Sequence, residues 1–450
     1  MTIRAAIAGV GEFGASFLFR HARADGLSVV AAADPDPNRI DRAAKLAGYA
    51  SDQIQRCDSA AQAQLALQGG QFVSVPDATL LCSLAIDFIV EATGEPETAA
   101  SIARDAIDAG INVAMVTKEC DSVVGPILQR RAQRAGVVCT VVDGDQPSLT
   151  MGLVEWAQRL GLSVVCAGKA SEYDFVVDQA TETVTANARS QHLPGINQLW
   201  RSDARSVEQI VLQRAELMAA WPHRTTPDLC ELCLMANATG FRPATPELHA
   251  PIARTLELPN LFRQKAAGGL LRSDESLDIF NCFRRSDEIS FAGGVFVIVE
   301  CDDPATWQVL KGKGIPMSDN ASHALLHNPV HLLGLEAPIS LMRATRSGQP
   351  RRFLTQHYDL VARASADLPA GHQLALGHRH SIPDLTPMLQ PASAVSDQTP
   401  LPYYLAANRT LAEPIAAGEV LTGRHILKPA SSTLWALRLE QDQLNEQGLN

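Results

Sequence analysis

Two carboxylates split by one glycine, Asp143-Gly144-Asp145, follow a largely apolar run from Gly136 to Val142 and lead into Gln146 and Pro147. Paired acids suit general acid–base work, metal ligation or recognition of substrate hydroxyls. No histidine or third carboxylate accompanies them in sequence, which points away from a metal. Asp145 with Gln146 suits contact with a polyol. Asp143 is a further candidate substrate contact and, of the two acids, the better suited to a structural role.

Two lysines stand at comparable places. Lys118 follows the apolar stretch "NVAMVT", and Lys169 follows "LSVVCAG" and is succeeded by Ser171, Glu172 and Asp174. A cation at a strand end suits a reaction in which charge develops on a carbonyl or alcohol oxygen. Lys118, Lys169, Asp145 and Glu172 are therefore the candidate catalytic residues. Lys169 and Glu172 are expected on a turn, facing the reacting end of a cofactor across a domain cleft.

These residues need a scaffold, and the first third of the chain predicts one. Ile3 to Ala8 reads as a buried strand running into Gly9-Val10-Gly11-Glu12-Phe13-Gly14, a GxGxxG. A helical pattern with Phe13, Phe17, Leu18 and His21 on one face follows. The strand Leu27 to Ala33 then ends in Asp34. Strand, glycine turn, helix, second strand and terminal acid are the dinucleotide fingerprint. Gly9 permits the tight turn, Gly11 lets backbone approach a pyrophosphate, and Gly14 lets helix and strand pack. Asp34 can accept from ribose hydroxyls and favours NAD. Arg39 lies close behind and could bind a 2′-phosphate, so NAD or NADP is expected, NAD preferred.

The α/β rhythm continues with a strand over 85–94 ending in Thr93-Gly94, a helix from Pro96 to about Ala109, a strand over 112–117 and a helix over about 125–135. Ligands of open parallel sheets sit at the carboxyl ends of strands. Gly9 to Gly14, Asp34, Thr93, Gly94, Thr117, Lys118 and the Asp143–Pro147 stretch all fall at that edge. Glu12, Phe13, Thr93, Gly94 and Thr117 thus join the glycines and Asp34 as cofactor-binding candidates. Residues 50–84 fit the repeat less well and remain unplaced.

A helix capped by Ser148 is expected to run to Leu160, with Trp156 and Leu160 on its apolar side. A long helical region over 201–240 ends at Asn237-Ala238-Thr239-Gly240 and contains Cys230-x-x-Cys233. With no second pair at zinc spacing, these read as core thiols. Gly293-Gly294 opens a buried strand and marks a turn or a close substrate approach. His323, His327 and His331 would share a helical face, but Pro329 interrupts it and no carboxylate has matching spacing. Asn237 and His331 are candidate substrate contacts. Arg263, Lys265, Arg284 and Arg285 offer cations for a phosphorylated substrate.

From about residue 355 the pattern turns to short strands with Gly, Pro and Ala. "DLPAGHQLALG" (367–377) and "EPIAAGEVLTGRHI" (413–426) echo each other, a hairpin-like unit used twice. "HRH" at 378–380 reads as a surface knot. The chain of 450 residues, 46% hydrophobic and 19% charged, has the composition of a globular protein with two or three domains. Its net charge of −11 argues against nucleic-acid binding. Nine scattered cysteines, several in apolar runs, suggest reduced thiols. No stretch has the length and apolarity of a membrane span. The amino terminus has no signal-peptide layout, and a cytoplasmic protein is expected.

GVGEFG with Asp34, "VTKECD", "DGDQPS", "NATG", "GGVFVIV" and "LAEPIAAGEVLT" together resemble the homoserine-dehydrogenase-like oxidoreductases with a carboxyl-terminal SAF (antifreeze-like) domain. That group includes the 1-deoxy-D-xylulose 5-phosphate reductoisomerase-like enzymes. The resemblance covers most of the chain and implies an NAD(P)-dependent oxidoreductase that works as a homodimer on a small molecule. It implies a Rossmann doubly wound parallel sheet (1–147), an α+β catalytic and dimerisation domain (148–352) and a small β-clip, SAF-like domain (353–440). His331 matches a family histidine. The chain departs at Thr117-Lys118, where relatives carry Asn-Ala, and at GKASEYD, where they carry a glycine-rich loop with a lysine. A sugar phosphate or branched polyol is the implied substrate class. The rival readings are homoserine dehydrogenase and a non-catalytic NAD-binding sensor or scaffold.

Overall fold

The structure, a computed structural model, describes residues 2–20, 25–202 and 205–448. His21 lies outside the described residues. Along the first third run β1 (Ile3–Ala8), α1 (Glu12–Arg20), β2 (Leu27–Ala33), α2 (Pro37–Leu46), β3 (Ile54–Arg56), α3 (Ala60–Gln68), β4 (Phe72–Val75), β5 (Phe88–Glu91), α4 (Pro96–Asp108), β6 (Asn112–Met115), α5 (Lys118–Ala135) and β7 (Cys139–Val141). The seven strands form one parallel sheet in the order β3-β4-β2-β1-β5-β6-β7. The order turns back on itself beside β1, as in nucleotide-binding α/β proteins, and the fold class is α/β with a Rossmann-type sheet. Strands of small and β-branched residues suit a sheet buried on both faces, and Ala5, Ile7, Val29, Ile89 and Val113 are fully buried. Residues 50–84, unplaced from sequence, supply β3 and β4 at one edge.

The helix expected over 125–135 begins seven residues earlier, at Lys118. Pro126 lies inside it. Proline lacks an N–H and crowds the preceding turn, so helix prediction stops there. The helix continues because Gln441 fills the broken rung: its amide accepts from Ile127 N–H at 3.0 Å and donates to the Val123 carbonyl at 3.2 Å.

α6 (Gln146–Arg159) leads into β8 (Ser163–Asp178), β9 (Thr183–Ala186), β10 (Arg189–His192), α7 (Val207–Leu217), α8 (Thr226–Thr239), β11 (Arg242–Pro243), β12 (Ile252–Ala253), α9 (Leu258–Leu261), β13 (Ser276–Arg285), β14 (Val295–Glu300), α10 (Pro304–Gly312) and β15 (Ala324–Asn328). Here an eight-stranded mixed sheet centres on β8, with β13 parallel to it and β14 antiparallel. Ser148 is not the cap of α6 but lies within its first turn, where its hydroxyl donates to Asp143. Trp156 and Leu160 are half-exposed, at 51% and 53%, not on a buried face. His323, His327 and His331 share no helix; His327 lies on β15, where the stretch is extended.

The last part holds α11 (Ala337–Ser347), β16 (Tyr358–Ala364), β17 (Gln373–Leu374), β18 (Leu385–Pro391), β19 (Arg409–Thr410) and α12 (Thr433–Glu446). The chain divides into two compact units: residues 1–148 with 332–450, and residues 149–331. The carboxyl-terminal segments therefore return to the amino-terminal unit. Ala337, Leu341 and Ala344 of α11 are buried in the cluster that holds Phe88, Val90 and Val142. The two echoed sequences meet each other: Leu368 and Ile415 exchange both backbone hydrogen bonds, at 2.9 and 3.0 Å. Their glycines adopt one conformation, Gly371 at φ +84° and Gly418 at φ +82°. Each sits in a four-residue turn closed by a bond from residue i+3 to residue i, His372 to Pro369 and Glu419 to Ala416, which is the geometry that calls for glycine.

Candidate functional site

The nucleotide end of the first unit is built as the fingerprint requires. Gly9 has φ +92°, and a Cβ there would lie 2.4 Å from the Ala92 carbonyl oxygen. On Gly14 a Cβ would lie 2.0 Å from the Gly9 carbonyl oxygen, so helix and turn pack at a distance only glycine allows. At Gly11 a Cβ would meet open space. The first backbone bond of α1 runs from Ala15 N–H to the Gly11 carbonyl, leaving earlier N–H groups at the helix's positive end for an anion. Glu12 is exposed and Phe13 half-buried at that end. An open cradle at Gly11 framed by helix N–H groups fits a dinucleotide pyrophosphate.

Asp34 is buried at the end of β2 and fixed by backbone: Val10 N–H donates to Oδ2 and Asp36 N–H to Oδ1, both at 2.9 Å. Each oxygen keeps further acceptor capacity for ribose hydroxyls. Arg39 stands on α2 and faces Asp36 at 3.8 Å.

The next strand ends are tied together by a residue missed in the sequence. Glu91 is fully buried at the end of β5, and one oxygen accepts from both the Thr93 N–H and hydroxyl, at 2.8 and 2.6 Å. Burial raises its pKa, and the bonds from Thr93 and Thr117 oppose that shift. Thr117 Oγ1 in turn accepts from Gly94 N–H at 3.0 Å. Thr93, Gly94 and Thr117 thus form one hydrogen-bonded edge.

Lys118 is the first residue of α5, where a cation faces the helix's positive end at a cost of about 0.3–1 kcal/mol. Its Nζ lies 3.7 Å from Asp145 Oδ2, and both side chains are 19% exposed. The ammonium is thereby held near the sheet edge without being sealed off. Asp143 behaves differently from its neighbour. Its oxygens accept from the Ser148 and Ser340 hydroxyls at 2.7 and 2.8 Å, with Arg343 and Arg351 at 3.5 and 3.9 Å. Its buried carboxylate is engaged by these four protein groups. Gly144 between them has φ +100°, and a Cβ would lie 1.8 Å from the Leu333 carbonyl oxygen. Gln146 is buried at the start of α6.

In the second unit Lys169 is not at a strand end. β8 continues to Asp178, and Lys169 is 1% exposed, with Asp228 Oδ1 at 3.0 Å and Glu231 also bonded to its ammonium. Ser171 donates to the other Asp228 oxygen at 2.7 Å. Beyond it the ladder bulges: Ser171, Glu172 and Tyr173 lie opposite the single residue Asn281. Glu172 is exposed there while Lys169 is buried, so the strand does not present them as a pair. Asn237 is buried in α8 near Cys233, at 3.9 Å from its sulfur. Gly293 has φ +85°, and the group that approaches it is the His331 ring, whose Nδ1 lies 2.6 Å from the Gly293 carbonyl oxygen. The four cations proposed as a phosphate cluster have separate partners: Arg263 with Asn320, Lys265 with Glu208, Arg284 with Asp174 and Arg285 with Asp287.

Two more groups escaped the sequence reading. His249 Nδ1 donates to Asp278 Oδ2 at 2.6 Å, and the other Asp278 oxygen accepts from the N–H groups of His249, Ala250 and Ile279 at 3.0, 3.3 and 2.9 Å. Leu248 and Ala250, flanking the histidine, have φ +62° and +49°. An imidazole oriented by a buried carboxylate, on a backbone held in a disfavoured region, is a general acid–base arrangement. Its parts lie 29 residues apart, with no motif to join them. In the first unit His380, read as surface, has its ring against Gly94. Among the described residues no group of three His, Cys, Asp or Glu is placed to hold a metal, and no helix is long and apolar enough to cross a membrane.

Residues 144–337 match the family described as oxidoreductase DRL, catalytic domain. No curated protein matches the chain. Among solved structures, a probable dehydrogenase from Thermotoga maritima is 10% identical with a TM-score of 0.37, over 78% of this chain and 91% of that one. An oxidoreductase from Agrobacterium radiobacter, in complex with NAD+, L-tartaric acid and magnesium, is 15% identical with a TM-score of 0.28, over 39% and 46% of the two chains. The 1-deoxy-D-xylulose 5-phosphate reductoisomerase from Zymomonas mobilis, in complex with NADPH, is 15% identical with a TM-score of 0.28, over 38% and 46%. This chain thus spans less than half the length of the latter two.

Proposed function

We propose that this NAD- or NADP-dependent oxidoreductase moves a hydride between the nicotinamide and a carbon bearing a hydroxyl or oxo group in a small polar substrate, a sugar phosphate or branched polyol. The observation that carries the reading is the Lys118–Asp145 pair at 3.7 Å, at the same sheet edge as the glycine turn and Asp34. The bound nicotinamide supplies or accepts the hydride. Gly9, Gly11 and Gly14 let backbone approach its pyrophosphate, Asp34 takes ribose hydroxyls and so favours NAD, and Thr93, Gly94 and Thr117 shape the edge. Lys118 donates a proton to the substrate oxygen in reduction and removes one in oxidation, because charge develops on that oxygen. Asp145 holds the ammonium in place, and Gln146 adds substrate contact.

Lys118 is preferred to Lys169 because Lys169 is sealed in the core between two carboxylates. Glu172, Asn237 and His331 are weaker assignments, since the first is exposed, the second is a core residue and the third is engaged by Gly293. The reading includes a SAF-like character for residues 353–440, supported by the paired glycine turns at 371 and 418. It includes a cytoplasmic protein, supported by nine cysteines that are all free. It includes a homodimer, supported by half-exposed Leu332, Leu335 and Ile339.

The test is a dehydrogenase screen with both nicotinamides against sugar phosphates, branched polyols and homoserine, on the wild type and Lys118→Ala. The expected result is turnover on a phosphorylated or polyhydroxylated substrate, lowered about 10²–10⁴-fold in the variant with cofactor affinity kept. Turnover on homoserine alone would move the substrate class to amino-acid alcohols. Cofactor binding without turnover on any of them would replace the enzyme by a sensor.

A further inference from the structure

Of the "HRH" turn, His380 does not behave as a surface residue. Gly377 N–H donates to the Ser381 carbonyl at 2.6 Å, and the Ser381 hydroxyl donates to the His378 carbonyl at 2.8 Å. The following Ile382 N–H donates to the buried Tyr403 hydroxyl at 2.6 Å. Within this clamp Arg379 and His380 are both left-handed, at φ +55° and +52°. Two adjacent non-glycine residues in that region cost on the order of 1–3 kcal/mol each and persist only when the surroundings enforce them. His378 and Arg379 are exposed, while His380 is turned partly inward.

What the strain achieves is the position of the ring. A Cβ on Gly94 would lie 2.8 Å from His380 Cε1 and 3.5 Å from Nε2, so glycine at 94 makes room for the imidazole. The ring is hydrogen-bonded to the Gly94 backbone, and Lys118 and Glu95 act on it electrostatically, as does His378 from its own turn. Gly94 is bonded to Thr117, the residue before Lys118. The ring therefore sits at the edge that carries the proposed acid–base lysine, with Asp145 on that lysine.

We propose that the carboxyl-terminal segment completes this edge, with His380 as the group that carries the Lys118 proton to and from solvent. This rests on the acid–base role of Lys118. In oxidation the substrate hydroxyl gives its proton to the neutral Lys118 amine as hydride leaves the carbon for the nicotinamide. The ammonium then passes that proton to the free ring nitrogen of His380, which releases it to water; reduction runs the steps in reverse. One ring nitrogen bonded to Gly94 leaves the other as the acceptor. Burial first, then the Lys118 charge, hold the His380 pKa below the ordinary histidine value, so the ring is neutral and able to accept near pH 7.

Two measurements test the assignment. The first needs no substrate: the imidazole of His380, identified by its loss in His380→Gln, is titrated by NMR in wild type and Lys118→Met. Removal of the neighbouring cation is expected to raise the midpoint; an unchanged midpoint overturns the placement of the ring beside Lys118. The second is turnover of His380→Ala and His380→Gln. The expected result is a kcat lowered about 10- to 100-fold with cofactor Kd unchanged, restored in His380→Ala by added imidazole. A fall that imidazole does not restore, or full kcat in both variants, overturns the proton-carrying role. Should Lys118→Met keep full turnover while the ring's midpoint moves, the acid–base reading of Lys118 fails and the juxtaposition stands. Should Lys118→Met be inactive while both His380 variants match the wild type, only the role of His380 fails.

Discussion

Asp143 and Asp145 are two residues apart, yet the structure assigns them opposite consequences. Asp143 accepts two hydroxyl bonds, at 2.7 and 2.8 Å, and has two guanidinium groups within 4 Å, in a site 4% exposed. Hydrogen bonds to a charged group contribute about 1.5–3 kcal/mol each, and removing the acceptor strands its buried donors. Asp143→Ala is therefore expected to lose about 3–5 kcal/mol of unfolding free energy. Asp143→Asn, which keeps one oxygen acceptor, should lose roughly half of that. Those losses are a large share of an ordinary domain's stability of about 5–15 kcal/mol. Asp145 has one ion-pair partner at 3.7 Å and is partly open to solvent, so Asp145→Asn should change stability by no more than about 1 kcal/mol. Its effect should appear in kcat, through a mispositioned Lys118. Urea unfolding followed by circular dichroism, paired with turnover at saturating cofactor, reads both quantities on the same preparations. An Asp145→Asn protein as unstable as Asp143→Asn, or an Asp143→Ala protein of wild-type stability, would refute the division of labour.

Further predictions follow from the same geometry. His249→Gln should disturb the 2.6 Å bond to Asp278, which keeps its three backbone donors, and lower the unfolding free energy by about 1–3 kcal/mol; urea unfolding decides it. Asp121 is buried, and desolvation, then Glu91 and Glu119, push its pKa well above the ordinary carboxylate value. The folded state therefore holds a proton that the unfolded state releases, so this group's contribution is present at low pH and is lost as pH rises from the unfolded value to the raised one. Asp121→Asn should raise the urea midpoint at neutral pH relative to wild type and narrow that difference toward pH 4. Gln441→Leu should remove both bonds at the Pro126 break, cost about 2–4 kcal/mol and speed amide exchange at Ile127.

What could be read from the sequence is what is local. The glycine turn, its flanking strands and Asp34 lie within 32 residues, and the fingerprint is complete in that one βαβ unit. The carboxyl ends of β5, β6 and β7 followed from the same periodicity, which is why Thr93, Gly94, Thr117 and Lys118 came out at one edge. Lys169 did not follow, because a polar run after an apolar one looks like a turn. It stays in the strand because Asp228 and Glu231, on α8 some 60 residues away, satisfy its charge. His249 and Asp278 fail the same way, since the pair exists only after β13 is placed. The "HRH" turn reads as a surface knot, and the inward His380 ring is not foreseen because the glycine that receives it is 286 positions earlier.

The same distance explains why the last hundred residues matter to the first. α5 carries Lys118 at its amino end and a proline eight residues later, which would leave the helix weakened next to its functional end. α12 repairs it through Gln441, and α12 is itself pinned at its start and at its middle. Glu97 of α4 accepts from Thr433 N–H and the Ser432 hydroxyl at its start. Midway along it the fully buried Arg438 makes two 2.7 Å bonds to Asp359 of β16 and one of 2.8 Å to Asp442. A buried ion pair of this kind adds little net stability over an apolar substitute, but breaking it is expensive. Its value lies in fixing one position for α12, hence for the Gln441 amide and the first turns of α5. Arg438→Met should therefore release the Ile127 amide to faster exchange as Gln441→Leu does, though Arg438 touches neither residue of that rung. Protection of Ile127 that survives Arg438→Met would show that the repair of α5 does not depend on where α12 is held.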